Sequence, residues 1–211
     1  METKDLGFIH RFLPPKTEGQ PVLLLLHGTG GEERSLLPLG TRLAPDAAFL
    51  SPRGKVLENG MPRFFRRIAE GVFDLEDLRL RTHELADFVE SASKVYAFDR
   101  SQVVAVGYSN GANIAASLLL LRPEALAAAL LLHPMVPLVP ESLPDLAGVP
   151  VLITAGRRDP MVPPRQTEEL MSLLRQAGSE VETFWQEDGH SLIPDEVRAA
   201  HEWLSRWARR R

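Results

Sequence analysis

The 211-residue sequence contains no cysteine. Disulfides, thiolate metal sites, iron–sulfur clusters and a cysteine nucleophile are therefore excluded. Lysine is scarce, with only Lys4, Lys16, Lys55 and Lys94 among 24 basic residues. That arginine bias carries no chemistry by itself. Positive charge is not in surplus either: 24 basic against 28 acidic residues leave a net charge of −4. Such a balance argues against charge-driven nucleic-acid binding. Long apolar runs are also missing. The longest, residues 22–26 and 125–132, fall far short of the roughly 20 residues that a membrane span needs. Residues 1–5 do not lead from a basic start into an apolar stretch, so no leader is read there. The expectation is a cytoplasmic protein with no membrane partner.

What is present is the balance of a folded chain, with 44% hydrophobic and 25% charged residues. Its length suffices for a sizeable core, and no linker or repeat divides it, so residues 1–211 are read as a single domain. Short apolar runs alternate with amphipathic stretches. That alternation predicts an α/β fold with a mostly parallel central sheet and helices on both faces. Strands are expected at residues 8–13, 22–27, 48–50, 102–107, 126–132, 149–155 and 181–185. Helices are expected at 35–43, 110–121, 166–177 and 195–207, with Gly178 just past the end of one of them. Asp74 is placed to cap a further long helix. In it Leu75, Leu78, Leu85, Ala86, Val89 and Ala92 share one face. Residues 54–71 show no clean period and read as a long loop, a kind of segment that is often functional.

The most informative segment is Gly107-Tyr108-Ser109-Asn110-Gly111. It has the form G-x-S-x-G between a buried strand and a helix, the context in which a serine is lifted on a sharp turn as a nucleophile. The two glycines remove side chains that would collide at so tight a turn. A plain strand–turn–helix corner capped by serine is the simpler alternative. Such a serine needs an acid and a histidine, following it in that order. His190, in a turn-like segment after the last strand, is the candidate base. His201 falls inside the last helix, and His133 precedes the acid. Asp159, after the strand at 149–155, is the candidate acid, with Asp188 and Asp145 as turn-forming rivals. His27-Gly28-Thr29-Gly30-Gly31 follows the first central strand and matches a glycine-rich oxyanion turn. The backbone amides of Thr29 and Asn110 are thus the candidate oxyanion donors, and His27 is a brace for the turn. The segment does not fit a phosphate loop. His83-Glu84 does not open a zinc motif, because Asp87 stands where the second histidine belongs. No metal and no cofactor are expected.

Together these residues resemble the α/β-hydrolase fold, and within it the phospholipase/carboxylesterase family, which includes acyl-protein thioesterases and carboxylesterases linked to hydroquinone resistance. The resemblance spans about residues 20–205. It rests on the segments from Leu26 to Glu32, Gly107 to Gly111 and Asp159 to Pro163, on Gly189-His190, and on the stretch from Arg53 to Phe65. Thioesterase members commonly carry Gly at the position of Ala112 and Gln at that of Asn110. The resemblance implies a serine carboxylesterase for small esters, with Ser109, Asp159 and His190 as the triad. Thioesterase or lysophospholipase activity is the alternative, and a non-catalytic interaction protein on the same scaffold is a second one. Relatives are often dimers, so a homodimer is possible. The chain is too short for a large lid domain. Residues 54–71 and 134–140 are the expected pocket walls, with Met61, Phe64, Phe65, Met135 and Met161 as apolar substrate contacts. Arg63, Arg66 and Arg67 could attract an anionic substrate but read better as a solvated face.

Overall fold

A computed structural model describes residues 6–210. The N-terminal segment read as lacking a leader, residues 1–5, lies outside the described residues, as does Arg211. Seven strands form the central sheet: β1 (His10–Leu13), β2 (Val22–Leu26), β3 (Ala48–Pro52), β8 (Val103–Tyr108), β9 (Ala128–Leu132), β10 (Val151–Gly156) and β11 (Val181–Gln186). Their order is β1-β3-β2-β8-β9-β10-β11. Only β1 runs antiparallel, against β3; every other pairing is parallel. The expected α/β architecture is therefore observed.

Strand alternation sorts the core into two layers. Leu24, Leu26, Ala105, Leu131 and Ile153 face one layer, and Leu23, Leu25, Val106, Leu130 and Leu152 face the other. On the first face lie α2 (Leu75–Tyr96), α3 (Asn110–Leu121) and α4 (Pro164–Gln176); on the second lie α1 (Leu37–Leu43) and α5 (Pro194–Arg209). Residues 110–120 of α3 are all buried. A helix apolar on every side belongs inside a protein, and this one packs against both α2 and the sheet. In α5, Ala200, Trp203, Leu204 and Trp207 keep to one buried stripe. Each large side chain buried in this way contributes about 1.5–3 kcal/mol.

Several boundaries differ from the sequence expectation. Strand β9 starts at Ala128, because Pro123–Ala125 forms a 3-10 turn first. Pro38 sits in the first turn of α1, where its missing N–H costs nothing. Asp74 does cap α2, its carboxylate accepting from the Asp77 amide at 3.1 Å. Leu75, expected on the buried face, is 49% exposed at the helix start. The largest correction concerns residues 54–71. Two small antiparallel sheets replace the expected loop: β4 (Val56–Glu58) with β5 (Met61–Arg63), and β6 (Arg67–Ala69) with β7 (Val72–Phe73). Strands this short cannot express a hydrophobic period. Among the described residues, no helix is long and apolar enough to cross a membrane.

Candidate active site

The carboxyl ends of the parallel strands converge on one cleft, where ligands of open α/β sheets bind. Ser109 stands between β8 and α3 with φ 53° and ψ −114°, a left-handed conformation that a side chain adopts only under strain. Its amide donates to the Leu132 carbonyl at 2.9 Å, and its carbonyl accepts from the Asn113 amide at 3.0 Å. The flanking glycines have a steric reason. A Cβ on Gly107 would strike the Gly111 carbonyl, and one on Gly111 would strike the Leu26 carbonyl at the end of β2.

Asp159 follows β10 and is almost fully buried. Its Oδ1 accepts from the amides of Met161 at 2.8 Å and Val162 at 3.1 Å. Its Oδ2 accepts from His190 Nδ1 at 2.6 Å and from His133 Nδ1 at 3.1 Å. Burial pushes this carboxyl up, but the hydrogen bonds from His190 and the Met161 amide outweigh it and hold it below the usual carboxylate range. His190 Nε2 is buried and makes no hydrogen bond. His190 Nε2 therefore makes no hydrogen bond to Ser109, although both residues line one cleft. Tyr108 fixes the His190 loop from below by donating its hydroxyl to the His190 carbonyl at 2.9 Å.

The oxyanion candidates are held by the hairpin segment that the sequence left as a loop. The Gly30 amide donates to the Pro62 carbonyl at 2.9 Å. Arg63 Nη1 donates to Thr29 Oγ1 at 2.7 Å. The Phe64 amide donates to Asn110 Oδ1 at 2.8 Å. His27 acts as the expected brace. Its Nδ1 donates to the Gly28 carbonyl at 2.7 Å, and its Nε2 accepts from the Gly54 amide at 3.0 Å. Burial holds the His27 imidazole below its ordinary value.

Ser109, Asn110, Thr29, His133 and His190 line one cleft of about 410 Å³, open mouth included, together with Met135, Met161, Val162 and Phe73. Two of the proposed apolar contacts, Met135 and Met161, are thus at the site. Phe64 and Phe65 are not: they are 2% and 0% exposed and belong to the core under α2. Met61 is 41% exposed near Gly30, outside the lining. The arginine trio also divides. Arg66 is exposed and pairs with Asp74, whereas Arg63 is 3% exposed and lines the cleft beside Arg67. The rival acids lie elsewhere. Asp188 is exposed near Arg158, and Asp145 caps the Ala147 amide. His201 donates to the Leu43 carbonyl at 2.8 Å on the α5 side.

Glu196 is a site residue absent from the sequence expectation, whereas His133, which the sequence places ahead of the acid, lines the cleft. His133 directly follows β9 with φ 54°, and its Nε2 lies 3.1 Å from Glu196 Oε1. Glu196, in the first turn of α5, is 0% exposed. An acidic residue at 196 shares the stripe of 200, 203 and 207, and that breach of an apolar face was the available signal. His133, Asp159 and His190 bring donor atoms within 4.8 Å of one another. Those atoms are already joined by hydrogen bonds, an arrangement suited to holding protons.

A family model described as phospholipase/carboxylesterase matches residues 10–208. The chain belongs to the phospholipase/carboxylesterase family. It is 54% identical over 182 residues to MhqD of Bacillus subtilis (strain 168), a hydrolase by name, covering 86% of this chain and 91% of that one. The crystal structure of the Bacillus cereus carboxylesterase is 53% identical, with a TM-score of 0.93 over 94% of both chains. A carboxylesterase from Mesorhizobium loti is 34% identical, with a TM-score of 0.89 over 96% of this chain and 97% of that one. A family member so placed is an enzyme of the hydrolase class, as its strand–turn–helix corner led one to expect.

Proposed function

We propose that this family member is a serine carboxylesterase that cleaves small carboxylic esters through an acyl-enzyme. The observation that carries the reading is the 2.6 Å bond between Asp159 Oδ2 and His190 Nδ1, with the other His190 nitrogen buried and unpartnered in the cleft that Ser109 lines. Asp159 fixes the tautomer that leaves Nε2 as a base. Ser109 attacks the ester carbonyl while His190 takes its proton and then passes it to the leaving alcohol. The Thr29 and Asn110 amides receive the oxyanion, a contribution of about 3–4 kcal/mol per donor. Water then attacks the acyl-enzyme, with His190 again as base. Met135, Met161, Val162 and Phe73 give the cleft apolar surface for a short acyl or aryl group.

Hydrolysis of p-nitrophenyl esters from acetate to palmitate, with Ser109→Ala as control, tests the reading. The expected result is turnover greatest on short chains and abolished in the variant. A preference for long chains would replace it with thioesterase or lysophospholipase activity. Turnover that survives Ser109→Ala would overturn the mechanism, and failure of a fluorophosphonate to label Ser109 would remove the nucleophile.

A further inference from the structure

His190 is not the only histidine on Asp159. His133 contacts the same carboxylate oxygen from the other side, and beyond it stands Glu196, so four side chains form the chain His190–Asp159–His133–Glu196. His133 thus stands between two buried carboxylates. Asp159 is surrounded by donors: two backbone amides on Oδ1 and two imidazoles on Oδ2. Glu196 is surrounded likewise, by the Thr154 hydroxyl on Oε1, and on Oε2 by the Gln186 amide at 3.3 Å and the Ile193 amide at 3.4 Å. Each carboxylate thus accepts on both oxygens. Each His133 nitrogen lies 3.1 Å from one of them. The Gln186 amide also lies 3.3 Å from His133 Nε2, so it is charge that favours the imidazolium: two buried carboxylates stand 3.1 Å from its two nitrogens.

We infer that His133 works as a permanently protonated positioning residue, held between Asp159 and Glu196, which tempers the charge that Asp159 presents to His190. The inference rests on the reading of His190 as base. The groups facing His133 are Asp159 after β10, Glu196 on α5, His190 after β11 at 5.1 Å between ring centroids, and Tyr108 on β8 at 6.2 Å. Burial alone would push His133 down, yet Glu196 and Asp159 raise it above its ordinary value. A fixed positive charge so close to His190 opposes protonation of the base.

His133→Asn is the decisive variant. Asn places an amide N–H near the Nδ1 position, tolerates the left-handed backbone and carries no charge. The acid limb of the kcat/KM profile is expected to move to higher pH by about half a unit to one unit. Activity at the alkaline plateau is expected to fall less than about threefold, since the donor to Asp159 is retained. An even loss at every pH, or an unmoved limb, would overturn the inference. Glu196→Gln, which removes one support of the imidazolium, is expected to move the limb in the same direction. Wild-type protein with 15N-labelled histidine provides a test that needs no variant: His133 should show two protonated ring nitrogens at pH 7.5, and a neutral tautomer there would refute the idea. Ser109→Ala separates the two readings. If turnover survives it, the serine mechanism fails; if turnover is lost but the limb stays fixed in His133→Asn, only the role of His133 fails.

Discussion

The Phe64 amide donates to Asn110 Oδ1 across 46 positions of sequence, at 2.8 Å, and so ties the residue after Ser109 to the end of a hairpin. Asn110→Ala leaves that buried amide without an acceptor, at a cost of about 1–3 kcal/mol. The variant is expected to melt lower and to lose kcat more than KM changes. Asn110→Asp, which keeps an acceptor for Phe64, is expected to recover most of the lost stability. Thermal denaturation with steady-state kinetics checks both.

Ser109 carries its strain at rest, with φ 53°. Glycine adopts that conformation without penalty, and alanine does not. Ser109→Gly and Ser109→Ala both lack the hydroxyl and are both expected to be inactive. The glycine variant should nonetheless be more stable than the alanine variant by about 1 kcal/mol, or roughly 2–4 °C in Tm. Equal melting temperatures would show that the backbone is relaxed there.

Gly111 packs against the end of β2 so closely that a methyl group would overlap the Leu26 carbonyl, a backbone atom that cannot swing aside. Gly111→Ala is expected to destabilise the fold by more than about 3 kcal/mol. Gly148 has open space around it, but its φ of +79° adds strain to any substitution there. Gly148→Ala should therefore cost about 1 kcal/mol, well below Gly111→Ala. Urea unfolding midpoints of the two variants test the ranking.

His27 is held neutral by burial while its Nε2 accepts from the Gly54 amide. Its folded-state value is depressed, so the unfolded chain takes up the proton first as pH falls. Its contribution to stability is therefore whole above the unfolded value of about 6.5 and declines as pH drops below it. In His27→Gln the side-chain oxygen can accept from Gly54 without titrating. Stability measured by urea unfolding between about pH 7 and pH 5 should fall more steeply in the wild type than in the variant.

The parts of this molecule legible in the sequence are those fixed locally. The run 103–107 is short and apolar, and Gly107 and Gly111 mark the corner that follows it. The turns that hold Asp159 and His190 each follow a strand that announces itself. The hairpins of residues 56–73 were hidden because strands of two or three residues have no period and are fixed by contact with the rest of the fold. Phe64 and Phe65 looked like pocket walls because an aromatic pair in an irregular segment gives no hint of direction. Arg63 reads as solvated beside Arg66 and Arg67, and its burial is explained only by contacts formed in the fold, with Thr29, the Phe65 carbonyl and Glu58. Glu196 reads as an ordinary acidic residue in a first helical turn. Its role depends on Thr154 and His133, brought to it by two other strands.

The sheet order has a consequence in time. The corner bearing Ser109 needs only β2, β8 and β9 around it, whereas Asp159 waits for β10, and His190 and Glu196 arrive with β11 and α5 at the far edge and face. A chain that folds as it is synthesised, from its N-terminus onward, therefore holds Ser109 about 80 residues before His190 is made. On the proposed mechanism, the serine gains its base only after the last strand of the sheet is in place.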